Sequence, residues 1–350
     1  MTTNATHETL DPRLAARLRA MPKAELHVHV EGTLDPETSW TIAQRNGIAL
    51  PADSLEAWRA FFAFRDFGHF LEVYVAAASA LRTVEDYALM IEHFYAHQAR
   101  QNVRYCEAFL SGSLALATVG AEGLLEAIAR GAERGEAATG VRAAFIPDIS
   151  RELPHTQAAV TDLVIAGAAR GAVIGLGIGG PEQGFPPALF VASFARARAA
   201  GLRVVAHAGE TAGPDSVRDA VELLGAQRIG HGVRTLEDDA LTARLAARAL
   251  PFEVSPTSNY ALGIVAPGEP HPIRRMLAAG LRCTLNSDDP AMFGTDLCNE
   301  YALLARQGFS WDELWALNRA TLEASFLSAG ELARYRAEWD AFAAGLEPLA

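Results

Sequence analysis

The sequence predicts an α/β chain folded as a (β/α)8 TIM barrel, with a helical insertion after the first strand and further helices at the C-terminal end. Three observations predict it. From residue 103 to residue 286, short apolar runs alternate with longer helix-like stretches, the pattern of a parallel sheet covered on its faces. With one earlier run at 24–30 the apolar runs number eight, enough to close a barrel. Gly140, Gly171, Gly201, Gly225 and Gly280 stand where helix gives way to strand, and glycine is favoured just past a helix end.

The elements follow in order. Thr9-Leu10-Asp11-Pro12 starts a short helix, with Thr9 or Asp11 as cap and Pro12 in the first turn; Met21-Pro22 ends it. Residues 24–30 read as the first strand. Residues 36–101 contain no good strand and read as helical, Asp35-Pro36 opening one helix and Gly47 closing it. Phe61, Phe62, Phe64, Phe67 and Phe70 crowd this stretch. They either fill a helical core or cover a flat, apolar ligand, since segments after barrel strands often build sites. Residues 31–102 are therefore expected to form a helical insertion, or lid, within one domain spanning 1–350. Strands are then expected at 103–110, 141–149, 172–178, 202–207, 228–231, 251–255 and 281–286. The helices between them are expected at 122–136, 156–170, 187–200, 215–224, 236–249 and 272–279. The tail, 311–346, reads as helix packed outside the barrel.

Bulk properties narrow the class of ligand. The chain has 350 residues, half of them hydrophobic, and a formal charge of −12 spread along its length. A nucleic-acid binder needs a basic stripe; none is visible, so the expected partner is a small molecule. Cys106, Cys283 and Cys298 show no paired spacing, which fits thiols in a reducing compartment. Residues 1–20 are polar and charged with no apolar signal core. No apolar run approaches the roughly 20 residues that span a bilayer. A soluble, cytoplasmic protein with no membrane partner is expected; nothing in the sequence sets an oligomeric state.

The polar residues that stand out lie at the ends of apolar strands, in "AELHVHVEGT", "LRVVAHAGE", "RIGHG" and "CTLNSDDPAMF". Active sites of this barrel class sit at that face. His27 and His29 are two apart on one strand and point the same way. Two inward imidazoles are costly in a core and natural as metal ligands. His207, His231 and Asp288 occupy equivalent strand ends. Imidazoles with a carboxylate suit zinc, which lowers the pKa of bound water from about 15.7 to about 7. Asp288 and Asp289 are adjacent and face different sides. Glu210 follows His207 by three residues, with Gly209 permitting a sharp turn. It reads either as a proton shuttle or as a helix-start carboxylate. Binuclear barrels of related type use a carboxylated lysine at the fourth strand. The only lysine here is Lys23, below the first strand, and the fourth strand ends in Gly177, Gly179 and Gly180, so one metal per chain is expected.

Two motifs carry no such weight. "GLGIGG", 175–180, lacks the following helix and the acidic residue about 20 positions on that a dinucleotide site needs. "HVE", 29–31, matches half of the cytidine deaminase signature, but the paired cysteines are absent.

Taken together, "PKAELHVHVEG", "GGPE", "HAGE", "IGHG", "SPTSN" and "NSDDP", in that order from Pro22 to Pro290, resemble the adenosine deaminase family. The resemblance implies a hydrolase with one zinc that replaces a purine 6-amino group by oxygen. His27, His29, His207 and Asp288 match its zinc ligands. His231 matches the residue that orients and deprotonates the attacking water, and Glu210 the acid that protonates the ring nitrogen. Asp289 matches the group on the purine's imidazole side, and Gly180 the backbone N–H facing the far ring nitrogen. Glu31 stands where the family usually has an aspartate that helps hold the ribose. "LGIGGPE", "HAGET", "PTSN" and "NSDDPAMFGTDL" are most similar to aminodeoxyfutalosine deaminases of the futalosine route to menaquinone. Adenine deaminases usually carry an acidic or Ser-rich stretch in place of "GIGGPE", and Leu-Ser-Asn in place of Thr257-Ser258-Asn259. The expected substrate is thus an aminopurine nucleoside, 6-amino-6-deoxyfutalosine first, then adenosine, then adenine. Arg151 or Arg234 is a candidate to meet the aromatic acid at the 5′ end of the first.

Overall fold

The computed structural model describes residues 10–171 and 173–347. Eight strands run β1 (Lys23–Glu25), β2 (Val103–Ser111), β3 (Arg142–Ser150), β4 (Gly175–Gly179), β5 (Arg203–Ala208), β6 (Arg228–His231), β7 (Pro251–Val254) and β8 (Arg282–Leu285). Each pairs in parallel with the next, in the order β1-β2-β3-β4-β5-β6-β7-β8. With helices outside, this is the (β/α)8 barrel.

The two outermost strands meet across a seam made just beyond them. Val28 and Asp288 form an isolated parallel bridge. The Asp288 N–H donates to His27 O at 3.1 Å, and the His29 N–H to Asp288 O at 2.8 Å. Asn286 Oδ1 accepts from the N–H groups of Leu26 and His27 at 2.9 and 3.1 Å. A side chain thus replaces part of a ladder, and for this reason β1 is far shorter than the strand expected at 24–30. The fourth strand also starts later than expected: residue 172 lies outside the described residues, and Val173 touches Phe145 only through a single bridge.

The helices are held by their own end residues. Asp11 caps Pro12–Ala20 by accepting from Arg13 N at 2.7 Å; Thr9, the other candidate cap, lies outside the described residues. The stretch expected as helix at 36–101 is four helices, Pro36–Asn46, Leu55–Phe62, Phe67–Ser79 and Val84–Arg100. Asp35, Ser54, Asp66 and Thr83 cap them in turn, each accepting from an otherwise unpaired N–H. Phe70 stacks on Phe293, after β8, with ring centroids 5.1 Å apart, and Phe64 meets the same ring edge-on at 5.6 Å. These contacts fasten the insertion over the end of the barrel that carries Asp288.

The lower barrel interior holds charge. Arg228 is fully buried and pairs with Glu107 and with Glu253, its guanidinium 3.9 Å from the centroid of Phe326. The tail forms two helices, Trp311–Glu323 and Ala329–Ala344. The first lies against the β8–β1 seam: Asn318 donates to Pro22 O at 2.8 Å, and the Leu285 N–H to Thr321 Oγ1 at 3.3 Å. Among the described residues, no single helix is long and apolar enough to cross a membrane.

Candidate metal centre and active site

The strand ends bring His27, His29, His207 and Asp288 together. One ligand atom from each lies within 4.8 Å of all the others, and all four residues are buried. The Nε2 atoms of His29 and His207 are 3.1 Å apart. Asp288 Oδ1 is 3.2 Å from His27 Nε2 and 3.5 Å from His29 Nε2. Donors about 2.0–2.1 Å from a tetrahedral zinc are themselves about 3.4 Å apart.

The outer atoms of the rings fix which nitrogen faces inward. His27 Nδ1 donates to Glu253 Oε2 at 2.8 Å, and His207 Nδ1 to Ile178 O at 2.8 Å. Each ring therefore turns an Nε2 lone pair toward the centre. His27 Nε2 is buried and makes no hydrogen bond of its own. Imidazole nitrogens and a carboxylate oxygen converging on one buried point are the donor set of a cation site. The residues fit zinc; the fourth strand, Gly175–Gly179, offers no ligand side chain, and Glu210, His231 and Asp288 form a second group close enough to hold a cation.

His231 and Glu210 stand beside this group. His231 Nε2 is 3.9 Å from Asp288 Oδ2 and 3.7 Å from Glu210 Oε1. Burial holds the His231 imidazole down at about 4, so it is neutral at pH 7 and able to accept a proton. Burial, reinforced by Asp288 and Glu182, pushes the Glu210 carboxyl well above the carboxylate range, so it carries a proton to give. Asp289 is raised in the same way by burial and by Asp288. Burial also opposes ionisation of Asp288, but the imidazoles of His231, His27 and His29 hold it well below its usual value. Two adjacent carboxyls are thus pushed apart, one anionic and one protonated. Asp288 and His231 both sit at positive φ, 66° and 60°, unusual for non-glycine residues and common where side chains are aimed for function.

Gly32 explains how close Asp289 comes. A Cβ at Gly32 would lie 2.6 Å from the Asp289 Cα, so any larger residue displaces that backbone.

Glu182, in "GGPE", shapes the loop after β5. Its Oε2 accepts from the Gly209 N–H at 2.8 Å and from Ser216 Oγ at 2.5 Å. Its Oε1 accepts from the N–H groups of Glu210, Thr211 and Ala212 at 2.9, 2.8 and 3.2 Å. The sequence reading gave Glu182 no role, although the motif contains it. It also passed over Glu253 and Glu107. Their signal was a lone acid inside an apolar strand, at "FEV" and "CEAF".

A cavity of about 630 Å³, counting its open mouth, lies above these groups. Phe67, Phe70, Leu71, Val75, Leu114 and Leu262 form its apolar wall, and Asp148, Glu152, Glu210, Asp288 and Asp289 its acidic one. No lysine or arginine among the described residues lines it. Gly180 is on the wall, at φ 86°. The structure places three other candidates behind the wall. Glu31 accepts from the Ser111 N–H at 2.9 Å, and burial raises its carboxyl to about 7. Arg151 is fully buried and donates to Phe185 O and His207 O at 2.6 and 2.7 Å. Arg234 donates to Thr211 O at 3.0 Å and to Glu237 at 2.7 Å.

Known proteins match this chain along nearly all of its length. The family model described as adenosine deaminase matches residues 22–340. An adenine deaminase of Cupriavidus necator is 40% identical over 340 residues, covering 95% of each chain. An aminodeoxyfutalosine deaminase of Streptomyces avermitilis is 40% identical over 333 residues, covering 93% of this chain and 92% of the relative. Among solved structures, an amidohydrolase from Burkholderia ambifaria, crystallised with bound Zn, superposes with a TM-score of 0.88 at 30% identity, covering 97% of this chain and 96% of that one.

Proposed function

The chain belongs to the adenosine deaminase family, and from that premise we propose that it hydrolyses the 6-amino group of an adenine nucleoside, releasing ammonia and leaving oxygen in its place. The observation that carries the reading is the meeting of three imidazoles and one carboxylate at a point, flanked by a neutral imidazole and a protonated carboxyl.

His27, His29, His207 and Asp288 would hold one zinc, which when bound would act as a Lewis acid that makes water acidic and steadies charge on oxygen. His231 orients the attacking water and takes its proton. Glu210 gives its proton to the ring nitrogen next to the attacked carbon, drawing electron density from that carbon. Asp289 meets the purine on its imidazole side, and the Gly180 N–H faces the far ring nitrogen. The attacked carbon is trigonal before attack and tetrahedral after it, so the contact of Glu210 with the adjacent ring nitrogen strengthens as the reaction proceeds. That difference accelerates the step.

The first candidate substrate is 6-amino-6-deoxyfutalosine, whose deamination belongs to menaquinone biosynthesis. Its support is the motif string from "LGIGGPE" to "NSDDPAMFGTDL" and the Streptomyces relative. The second is adenosine, favoured by a wall without a cation to meet a carboxylate. Free adenine, the substrate in the name of the Cupriavidus relative, is the third. A panel of adenine, adenosine, methylthioadenosine and aminodeoxyfutalosine, followed by loss of the 6-aminopurine absorbance and by ammonia release, separates them. Zinc-loaded protein that releases ammonia from none of the four overturns the reading.

A further inference from the structure

One part of the cavity wall takes no role in this chemistry. Asp148, on β3, is 95% buried yet faces the cavity, and burial, with Glu31 and Glu152 beside it, pushes its carboxyl well above the carboxylate range. Glu152 lies four residues on, at the same wall, and its Oε2 is buried without a partner. Both carboxyls lie against the Gly179-Gly180 backbone. A Cβ at Gly179 would be 3.3 Å from Asp148 Oδ2, and one at Gly180 would run into Glu152 Oε2. Ser150, between them in sequence, and Ser111 add hydroxyls to the same surface, their Oγ atoms 3.3 Å apart.

Buried polar atoms without partners are costly and stand unexplained until something supplies the missing bonds. The two carboxyls offer acceptor oxygens, and a wall without a cation gives an anion no partner, so the group seated there brings hydroxyl or N–H donors and no negative charge of its own. The place is informative as well. If the Gly180 N–H faces the far ring nitrogen, the nitrogen bearing the sugar lies two bonds from it, across the carbon at the ring junction. Asp148 and Glu152 then stand beside the glycosidic bond.

We propose that Asp148 and Glu152 form a sugar subsite, accepting hydrogen bonds from the hydroxyls of a neutral ribosyl group, and that they set the enzyme's preference for a nucleoside over the free base and over a 5′-nucleotide. This rests on the deaminase reading above. A wall of two carboxyls with no cation leaves a buried phosphate uncompensated, while hydroxyls satisfy the carboxyl oxygens.

The test compares the wild type, Asp148→Asn and Glu152→Gln on adenosine, 2′-deoxyadenosine, 3′-deoxyadenosine, adenine and adenosine 5′-monophosphate, with zinc content and melting temperature measured for each. Losing a bond to a buried carboxyl lowers kcat/KM by about 10- to 100-fold. The expected result is that the ratio of kcat/KM for adenosine to that for adenine falls about 10-fold or more in each variant. The loss should shrink on whichever deoxynucleoside lacks the contacted hydroxyl, and Glu152→Gln should narrow the gap between adenosine and its monophosphate. Glu152 is the less buried of the two, so its variant keeps the test open if Asp148→Asn misfolds. Equal losses on every substrate, or none, overturn the proposal. A wild type that deaminates adenine but no nucleoside sinks the sugar subsite and leaves deamination standing. A zinc-loaded wild type inactive on all five and on aminodeoxyfutalosine sinks the deaminase reading itself.

Discussion

Replacing Glu182 by Gln changes one atom in a buried carboxyl and should be felt at Glu210. The carboxylate accepts four backbone N–H groups and the Ser216 hydroxyl, divided between its two oxygens. Glutamine has one acceptor oxygen. If that oxygen keeps the three N–H groups of Glu210, Thr211 and Ala212, the amide nitrogen faces the Gly209 N–H, donor against donor. One buried N–H then loses its partner, at about 1–3 kcal/mol, and the remaining bonds lose their charge assistance. A total near 3 kcal/mol follows, too much for the loop after β5 to absorb without moving. Glu210 lies within that loop, 3.7 Å from His231 Nε2, and a displacement of about 1 Å at a reacting group costs about 100-fold in rate. The assay pairs denaturant unfolding with kcat and KM on the best substrate of the panel, at confirmed zinc occupancy. The expected result is a loss of stability and a fall in kcat, with KM little changed and zinc retained. The same substitution in a Glu210→Gln background should cost almost no further rate, because the two residues act as one unit. Unchanged kcat in Glu182→Gln, or a full second loss in the double variant, would refute the coupling.

Further outcomes are expected elsewhere. Glu210→Gln alone should keep zinc by elemental analysis and lose about 100- to 10,000-fold in kcat; an undiminished rate removes it as proton donor. His207→Ala should lose the metal, and full retention by elemental analysis counts against its place in the centre. Glu253→Gln weakens the outer bond that aims His27, so zinc affinity, measured by competition with a chelator, should fall about 10- to 100-fold; wild-type affinity contradicts that aim. Glu300 is fully buried and its carboxyl is pushed up to about 7 by burial. The folded state therefore holds a proton that the unfolded chain gives up near its ordinary value of about 4.5. The associated stability is complete below pH 4.5 and fades as pH rises through 7, by about 3 kcal/mol at about 1.36 kcal/mol per unit. Glu300→Gln should flatten that part of the unfolding free energy against pH, and an unaltered slope rejects the assignment.

Much of this was legible in the chain because strand ends write chemistry and structure in the same letters. β6 ran as expected from Arg228 to His231, since a short apolar run closed by "GHG" has little freedom. The histidines at 27, 29 and 207 and the acid at 288 stood out as polar groups ending apolar runs. What escaped were relationships between distant side chains. Asn286 closes the seam with Leu26 and His27, and no local pattern announces that a side chain will finish a sheet. Within 36–101 only the first helix, opened by Asp35-Pro36 and closed at Gly47, is marked off, although Ser54, Asp66 and Thr83 are ordinary capping residues; caps are easily seen once a boundary is known and poorly separated from surface polarity before it. Asp148 was hidden for a related reason. A single carboxyl in "FIPDIS" gains meaning only when Gly179 and Gly180 are brought beneath it.

The seam between the first and last strands also dictates when the protein comes alive. Backbone bonds from Asp288 to His27 and His29 tie the chain's beginning to its end at the very residues that gather the ion. A nascent polypeptide on the ribosome holds the two histidines long before the aspartate, which arrives only once the eighth strand has been made. The clasp snaps shut late, and chelation rewards completion. A fragment broken off before the eighth strand keeps three imidazoles and none of the closure, so it should scavenge metal weakly and turn over nothing.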